Sequence, residues 1–159
     1  MMDDESFRRA EDEFFNRIAA AGGMEELSSM TVALLHDLFP HYSWTGIYWL
    51  RGNILKLGPW KGPEATEHIS IPLGSGVCGA AASSGRIENV PDVNADGRYL
   101  ACFLHTRSEI VVPLFSGGRV IGEIDIDGDQ LAAFGARDES FLKKVANLFE
   151  GAPGIVEGT

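Results

Sequence analysis

Cysteine and basic side chains are scarce in this chain, and long hydrophobic runs are missing. Its 159 residues include two cysteines, Cys78 and Cys102, with 23 residues between them. So few exclude the dense disulfide framework of a small secreted scaffold, and each is read as a thiol. The same two cysteines and four scattered histidines lack the paired spacings of tetrahedral ligation, so no metal is expected, at His41 and His68 or elsewhere. Lys and Arg number 13 against 23 Asp and Glu, a formal net charge of -10. That balance excludes a phosphate-neutralising nucleic-acid surface and attraction to an anionic membrane. No apolar run approaches the roughly 20 residues of a membrane span. The start, Met1-Met2-Asp3-Asp4-Glu5, has neither the positive region nor the apolar stretch of a secretion signal. A cytoplasmic protein is expected. At this length, with 45% apolar residues, the chain suffices for one domain with a real core, over residues 1–150, and a frayed tail at 151–159.

What the chain does have is concentrated between Ser108 and Asp127. Two runs rich in Ile and Val flank Ser116-Gly117-Gly118, which predicts an antiparallel hairpin at the centre of a sheet, glycine accepting the positive φ of a tight turn. Along the second run the period is two. Glu123, Asp125 and Asp127 share one face and Ile124 and Ile126 the other, while Glu109 brings a fourth acid to the same neighbourhood. Such a face is either the wet outer side of an antiparallel sheet or a pocket for a cationic group such as an ammonium.

The remaining elements follow in order. Amphipathic helices are predicted at Asp4–Ala21, stopped by Gly22-Gly23, and at Met24–Phe39, stopped by Pro40. A second hairpin runs from Tyr42–Leu50 through Arg51-Gly52-Asn53 into Ile54–Leu57. Residues 58–68, with two Gly and two Pro, read as a loop, and Ile69–Ile71 as a short strand. The small-residue helix Val77–Gly85 allows close backbone approach. Its N-terminal N–H groups suit an anion or a lowered thiol pKa, but it has no Gly-Lys-Ser/Thr ending and is no phosphate loop. After a strand at Ile87–Val90 and a turn at Pro91–Gly97, an irregular connector, Tyr99–Arg107, leads into the central hairpin, and Asp138–Glu150 forms the last helix.

Chemistry is expected at two places. Cys102 shares its connector with His105 and Arg107, two neighbours able to stabilise a thiolate, against the common alternative of an inert buried cysteine. Cys78 sits among small apolar residues, where the inert reading is stronger, and whether it reaches Cys102 for a disulfide depends on a separation that sequence does not give. Trp44, Tyr48 and Trp60 suit core positions. Two of them turned toward the carboxylates would make a wall for a cation or a sulfur.

Trp44-Thr45-Gly46-Ile47-Tyr48, Leu57-Gly58-Pro59, Gly76-Val77-Cys78-Gly79, Pro91-Asp92-Val93, Ala101-Cys102, Ser108–Leu114 and Ile121–Asp127 together resemble the free methionine-(R)-sulfoxide reductases, a branch of the GAF domain superfamily. The resemblance implies an α+β GAF fold: an antiparallel sheet of about six strands, helices on one face, a ligand pocket on the other, and frequent homodimers. It implies that Cys102 is the thiolate attacking the sulfoxide sulfur and becoming a sulfenic acid. Glu109, Asp125 and Asp127 would bind the ammonium and help protonate the sulfoxide oxygen, with Trp44 and Tyr48 walling the methyl-sulfur end. Cys78 matches the family's middle cysteine. His68 stands where a resolving cysteine is typical, so resolution falls to Cys78 or to an external thiol such as thioredoxin, with no bound cofactor. The alternative is a non-catalytic stand-alone GAF module that binds an amino acid or another small metabolite.

Overall fold

The computed structural model describes residues 2–100, 103 and 105–152. Six strands form one antiparallel sheet: β1 (Trp44–Arg51), β2 (Ile54–Lys61), β3 (Ser70–Pro72), β4 (Glu88–Val90), β5 (Ser108–Ser116) and β6 (Arg119–Gly128), in the spatial order β3-β2-β1-β6-β5-β4. The β5–β6 hairpin turns as its sequence predicts, with Gly117 at φ 57° and Gly118 at φ 76°, a pair of left-handed residues of the kind a type I′ turn requires. Pairing of β1 with β6 sets the two hairpins side by side and places β1 and β6 at the middle of the sheet.

Three helices cover one face: α1 (Asp4–Ile18), α2 (Met24–Leu38) and α4 (Ala136–Asn147). Their apolar stripes meet Ile47, Trp49, Ile110, Val112, Leu114, Ile124 and Ile126 in the larger core. Phe141 of α4 is its hub, with ring centroids 5.8 Å from Phe7, 5.4 Å from Phe14 and 4.8 Å from Phe39. Burial of each such ring is worth about 1.5–3 kcal/mol. Asp138 locks α4 to the start of β1, accepting from Tyr42 Oη at 2.8 Å and pairing with His41 Nε2 at 2.7 Å, while its other oxygen accepts from the Gly135 N–H at 2.9 Å. The fourth helix, α3 (Gly76–Ser84), lies against the opposite face. There Val77, Cys78, Ala81 and Ala82 pack with Trp44, Tyr48, Leu55 and Val111 in a second, smaller core.

Several boundaries differ from the sequence expectation. The first helix ends at Ile18, and the turn before Gly22 takes up Ala19–Ala21. The last starts two residues earlier, at Ala136, and ends at Asn147. More consequentially, Gly58–Lys61 is strand, although its glycine and proline suggest a loop. The register slips between Gly46 and Tyr48, where Gly58 and Pro59 together face Ile47. This is a bulge, the arrangement that tolerates a proline with no N–H to donate to the ladder. No helix among the described residues is long and apolar enough to cross a membrane.

Candidate functional site

Strand register assembles the site in three rows across β1, β6 and β5. Trp44 pairs with Asp127 and Asp127 with Glu109; Gly46 pairs with Asp125 and Asp125 with Val111; Tyr48 pairs with Glu123 and Glu123 with Pro113. Alternation along each strand turns all nine residues to the α3 side of the sheet. The four carboxyls therefore share one patch, and the wet-face reading fails because all four residues are buried. Relative exposure is 5% for Glu109, 0% for Glu123 and 3% for each of Asp125 and Asp127. Helix α3 provides the cover, and its small residues allow the close approach.

Burial sets the electrostatics. It raises the Asp125 carboxyl above its ordinary value, against hydrogen bonds with Glu109 and Cys78, and drives Asp127 well above its own, with the Asp125 charge adding. Glu123 is pushed well up by burial and by Asp125, against a hydrogen bond with Cys78. These carboxyls therefore retain protons where ordinary ones have lost them. Cys78 is also pushed well up, first by burial and then by the charges of Asp125, Glu123, Glu109 and Asp127. The expectation that the α3 N-terminus lowers a nearby thiol pKa is thus overturned for Cys78: a buried thiol facing carboxylates loses more by desolvation and repulsion than a helix end returns.

An aromatic corner stands beside the acids. Trp44 and Tyr48 are both buried. The Trp44 indole stacks on Trp60 at 6.1 Å and tilts against Phe103 at 5.7 Å, and its Nε1 donates to the Glu64 carbonyl at 3.1 Å. Trp60, expected with the core aromatics, is instead 38% exposed and forms the outer plate of that stack. Gly46 makes the arrangement possible, since a Cβ there would sit 2.4 Å from the Trp44 ring. Tyr48 Oη donates to the His68 carbonyl at 2.7 Å, tying His68 to β1. A cleft of about 50 Å³ opens between Trp44, Phe103, His105 and Asp127, and one of about 10 Å³ between Cys78, Leu100, Glu109 and Asp125.

The structure thus brings together Glu109, Asp125, Asp127, Trp44, Tyr48 and Cys78. Cys102 and its expected attack on a sulfoxide lie outside the described residues, as does any Cys78–Cys102 approach. Cys78 itself is a free thiol. His105 and Arg107 are both exposed on the connector. Its far end is fixed by backbone bonds from the Arg107 N–H to the Gly128 carbonyl at 2.8 Å and from the Val93 N–H to the Arg107 carbonyl at 2.9 Å. Its near end is held by Arg98, whose guanidinium forks onto Glu88 at 3.1 Å through both terminal nitrogens and also binds Asp96. Glu123 belongs to the acidic face read from the strand period, but it carries no role in the resemblance. The signal for one was a charged residue at an inward position of a central strand. The meeting of Cys78 with Glu109 and Asp125, whose ligand atoms lie within 4.8 Å of one another, left no sequence signal, because the three come from α3, β5 and β6.

Comparison with known proteins agrees with this geometry. The GAF domain family profile matches residues 23–152. The chain is similar to the free methionine-R-sulfoxide reductase of Saccharomyces cerevisiae, 43% identical over 129 residues, 79% of this chain and 71% of that protein. It is also similar to GAF domain-containing protein A of Dictyostelium discoideum, 36% identical over 125 residues, 78% and 77% of the two chains. Among solved structures, free methionine-R-sulfoxide reductase from Neisseria meningitidis in complex with its substrate superposes with a TM-score of 0.83 at 35% identity, covering 94% of this chain and 90% of that one. The chain belongs to the GAF domain family, in the branch that includes the free methionine-R-sulfoxide reductases.

Proposed function

We propose that this protein reduces free L-methionine-(R)-sulfoxide to methionine. The observation that carries the reading is the buried row of Trp44, Asp127 and Glu109 with Asp125 beside it: carboxyls for an ammonium, protons for an oxygen and an aromatic wall for the sulfur end. Glu109, Asp125 and Asp127 hold the substrate ammonium, and its charge draws them toward the ionised form. The Cys102 thiolate attacks the sulfoxide sulfur, a carboxyl of the cluster gives a proton to the sulfoxide oxygen, and the oxygen leaves the substrate on Cys102. The products are methionine and a Cys102 sulfenic acid. The Cys78 thiol then attacks that sulfenic sulfur, releasing water and leaving a disulfide, which an external dithiol such as thioredoxin reduces. No bound cofactor takes part, and the enzyme works in the cytoplasm as a homodimer.

A second reading is favoured by one residue. With His68 in place of the typical resolving cysteine, a stand-alone binding module for an amino acid would use the same carboxylates and aromatics without chemistry.

Turnover of free L-methionine-(R)-sulfoxide separates the two, measured with dithiothreitol and with thioredoxin on the wild type, Cys102→Ala and Cys78→Ala. The reductase reading expects all activity to vanish at Cys102→Ala, and the thioredoxin-driven activity alone to vanish at Cys78→Ala. Activity untouched by Cys102→Ala, or none in the wild type with either reductant, sinks it.

A further inference from the structure

Cys78, Glu109 and Asp125 each offer one ligand atom, all within 4.8 Å of one another, and all three residues are buried. Glu123 supplies an independent sign that this place is short of a cation. It is fully buried on the same face, and neither carboxyl oxygen is satisfied beyond its contact with the Cys78 thiol. Asp125 Oδ1 and Asp127 Oδ1 are likewise unpartnered. No lysine, arginine or histidine is buried among the described residues. Unsatisfied buried acceptors at this density point to an occupant that delivers positive charge.

We propose that Cys78, Glu109 and Asp125 form a binding site for a thiophilic divalent cation of the zinc class. A thiolate with two carboxylates suits zinc and disfavours the hard, oxygen-seeking magnesium and calcium. Binding releases to solvent the Cys78 thiol proton and the proton that burial keeps on the Asp125 carboxyl, and forms one metal–sulfur and two metal–oxygen bonds, with no change of oxidation state. Tetrahedral zinc holds its ligand atoms roughly 3.3–3.8 Å apart, so the trio closes around the ion by side-chain rotation. Paired spacings of the kind that mark zinc centres in sequence are absent because the ligands come from one helix and two strands.

Binding itself does not depend on the reductase reading. If that reading holds, the metal occupies the carboxylates that would take the substrate ammonium and caps the thiol that would resolve Cys102. Zinc is then an inhibitor competitive with the sulfoxide.

The test is Co²⁺ titration of the reduced full-length protein, freed of reductant under anaerobic conditions, followed by displacement with Zn²⁺. We expect a near-ultraviolet thiolate-to-cobalt band saturating at one equivalent and erased by Zn²⁺. It should persist in Cys102→Ala, vanish in Cys78→Ser and need at least about tenfold more Co²⁺ in Asp125→Asn, a variant that keeps the thiol and checks the site if Cys78→Ser does not fold. Absence of the band in the wild type, its loss in Cys102→Ala with retention in Cys78→Ser, or indifference to Asp125→Asn overturns the proposal. A band without sulfoxide turnover keeps the metal site and sinks the reductase. Turnover without a band does the reverse.

Discussion

Replacing Glu123 by leucine should stabilise the protein, and by more as pH rises. Glu123 is fully buried, neither of its oxygens is satisfied beyond a contact with the Cys78 thiol, and burial together with Asp125 outweighs that contact and holds its carboxyl well above the ordinary 4.5. Two costs are therefore present. A buried polar group left unsatisfied costs about 1–3 kcal/mol even when neutral, and leucine of similar volume removes that cost at any pH. The second cost is linkage. The folded state keeps a proton that the unfolded chain gives up above the ordinary value, so this group's contribution is intact below that value. It is then lost as pH rises toward the folded one, by up to about 1.4 kcal/mol per pH unit while the folded carboxyl stays protonated. Glu123→Leu should gain about 1–3 kcal/mol at pH 4, a rise in Tm of roughly 2–4 °C per kcal/mol for a domain of this size. Its lead over the wild type should widen at each step above pH 5. Urea unfolding of the reduced proteins at pH 4, 5, 6, 7 and 8, followed by far-ultraviolet circular dichroism, measures both terms. A variant less stable than wild type at every pH, or a lead that does not grow, would show that the carboxyl is paired and the reasoning wrong.

Other expectations rest on single contacts. Gly46→Ala places a methyl 2.4 Å from the Trp44 ring. The indole must leave its stack on Trp60, with a loss of about 1–3 kcal/mol in unfolding free energy and a shifted tryptophan emission spectrum. If Asp127 holds the substrate ammonium as proposed, KM for the sulfoxide should rise by about 10- to 100-fold in Asp127→Asn, in line with roughly 1.5–3 kcal/mol for a charged hydrogen bond; an unchanged KM would remove Asp127 from the binding set. Burial raises the Asp138 carboxyl, yet hydrogen bonds from His41, the Gly135 N–H and Tyr42 bring it below the ordinary 3.8. Its contribution is therefore present above that value and lost as pH falls through the lower folded one. Tyr42→Phe should weaken the protein by about 1–2 kcal/mol and move its acid unfolding midpoint to higher pH, measured by circular dichroism during acid titration.

The chain's own pattern determined most of the fold. Residues 108–127 specify the central hairpin through two Ile/Val runs and a Gly-Gly turn, and their period of two places Glu123, Asp125 and Asp127 together because side chains of a strand must alternate. The apolar spacing of Phe7, Phe14, Leu27, Leu35, Phe141 and Val145 announces helices with a face to bury. Gly58-Pro59 read as loop because glycine and proline disfavour a regular ladder, and only the partner strand shows the bulge that accommodates them. Whether the acidic face was wet or buried was likewise undecidable from the period, which fixes sides but not what covers them. The packing of α3 decided it, lifting the carboxyl and thiol pKa values by desolvation. That packing also set Cys78 against Glu109 and Asp125, residues 31 and 47 positions further along the chain. A meeting of that kind depends on where three rigid elements cross in space, and no local rule of sequence encodes it.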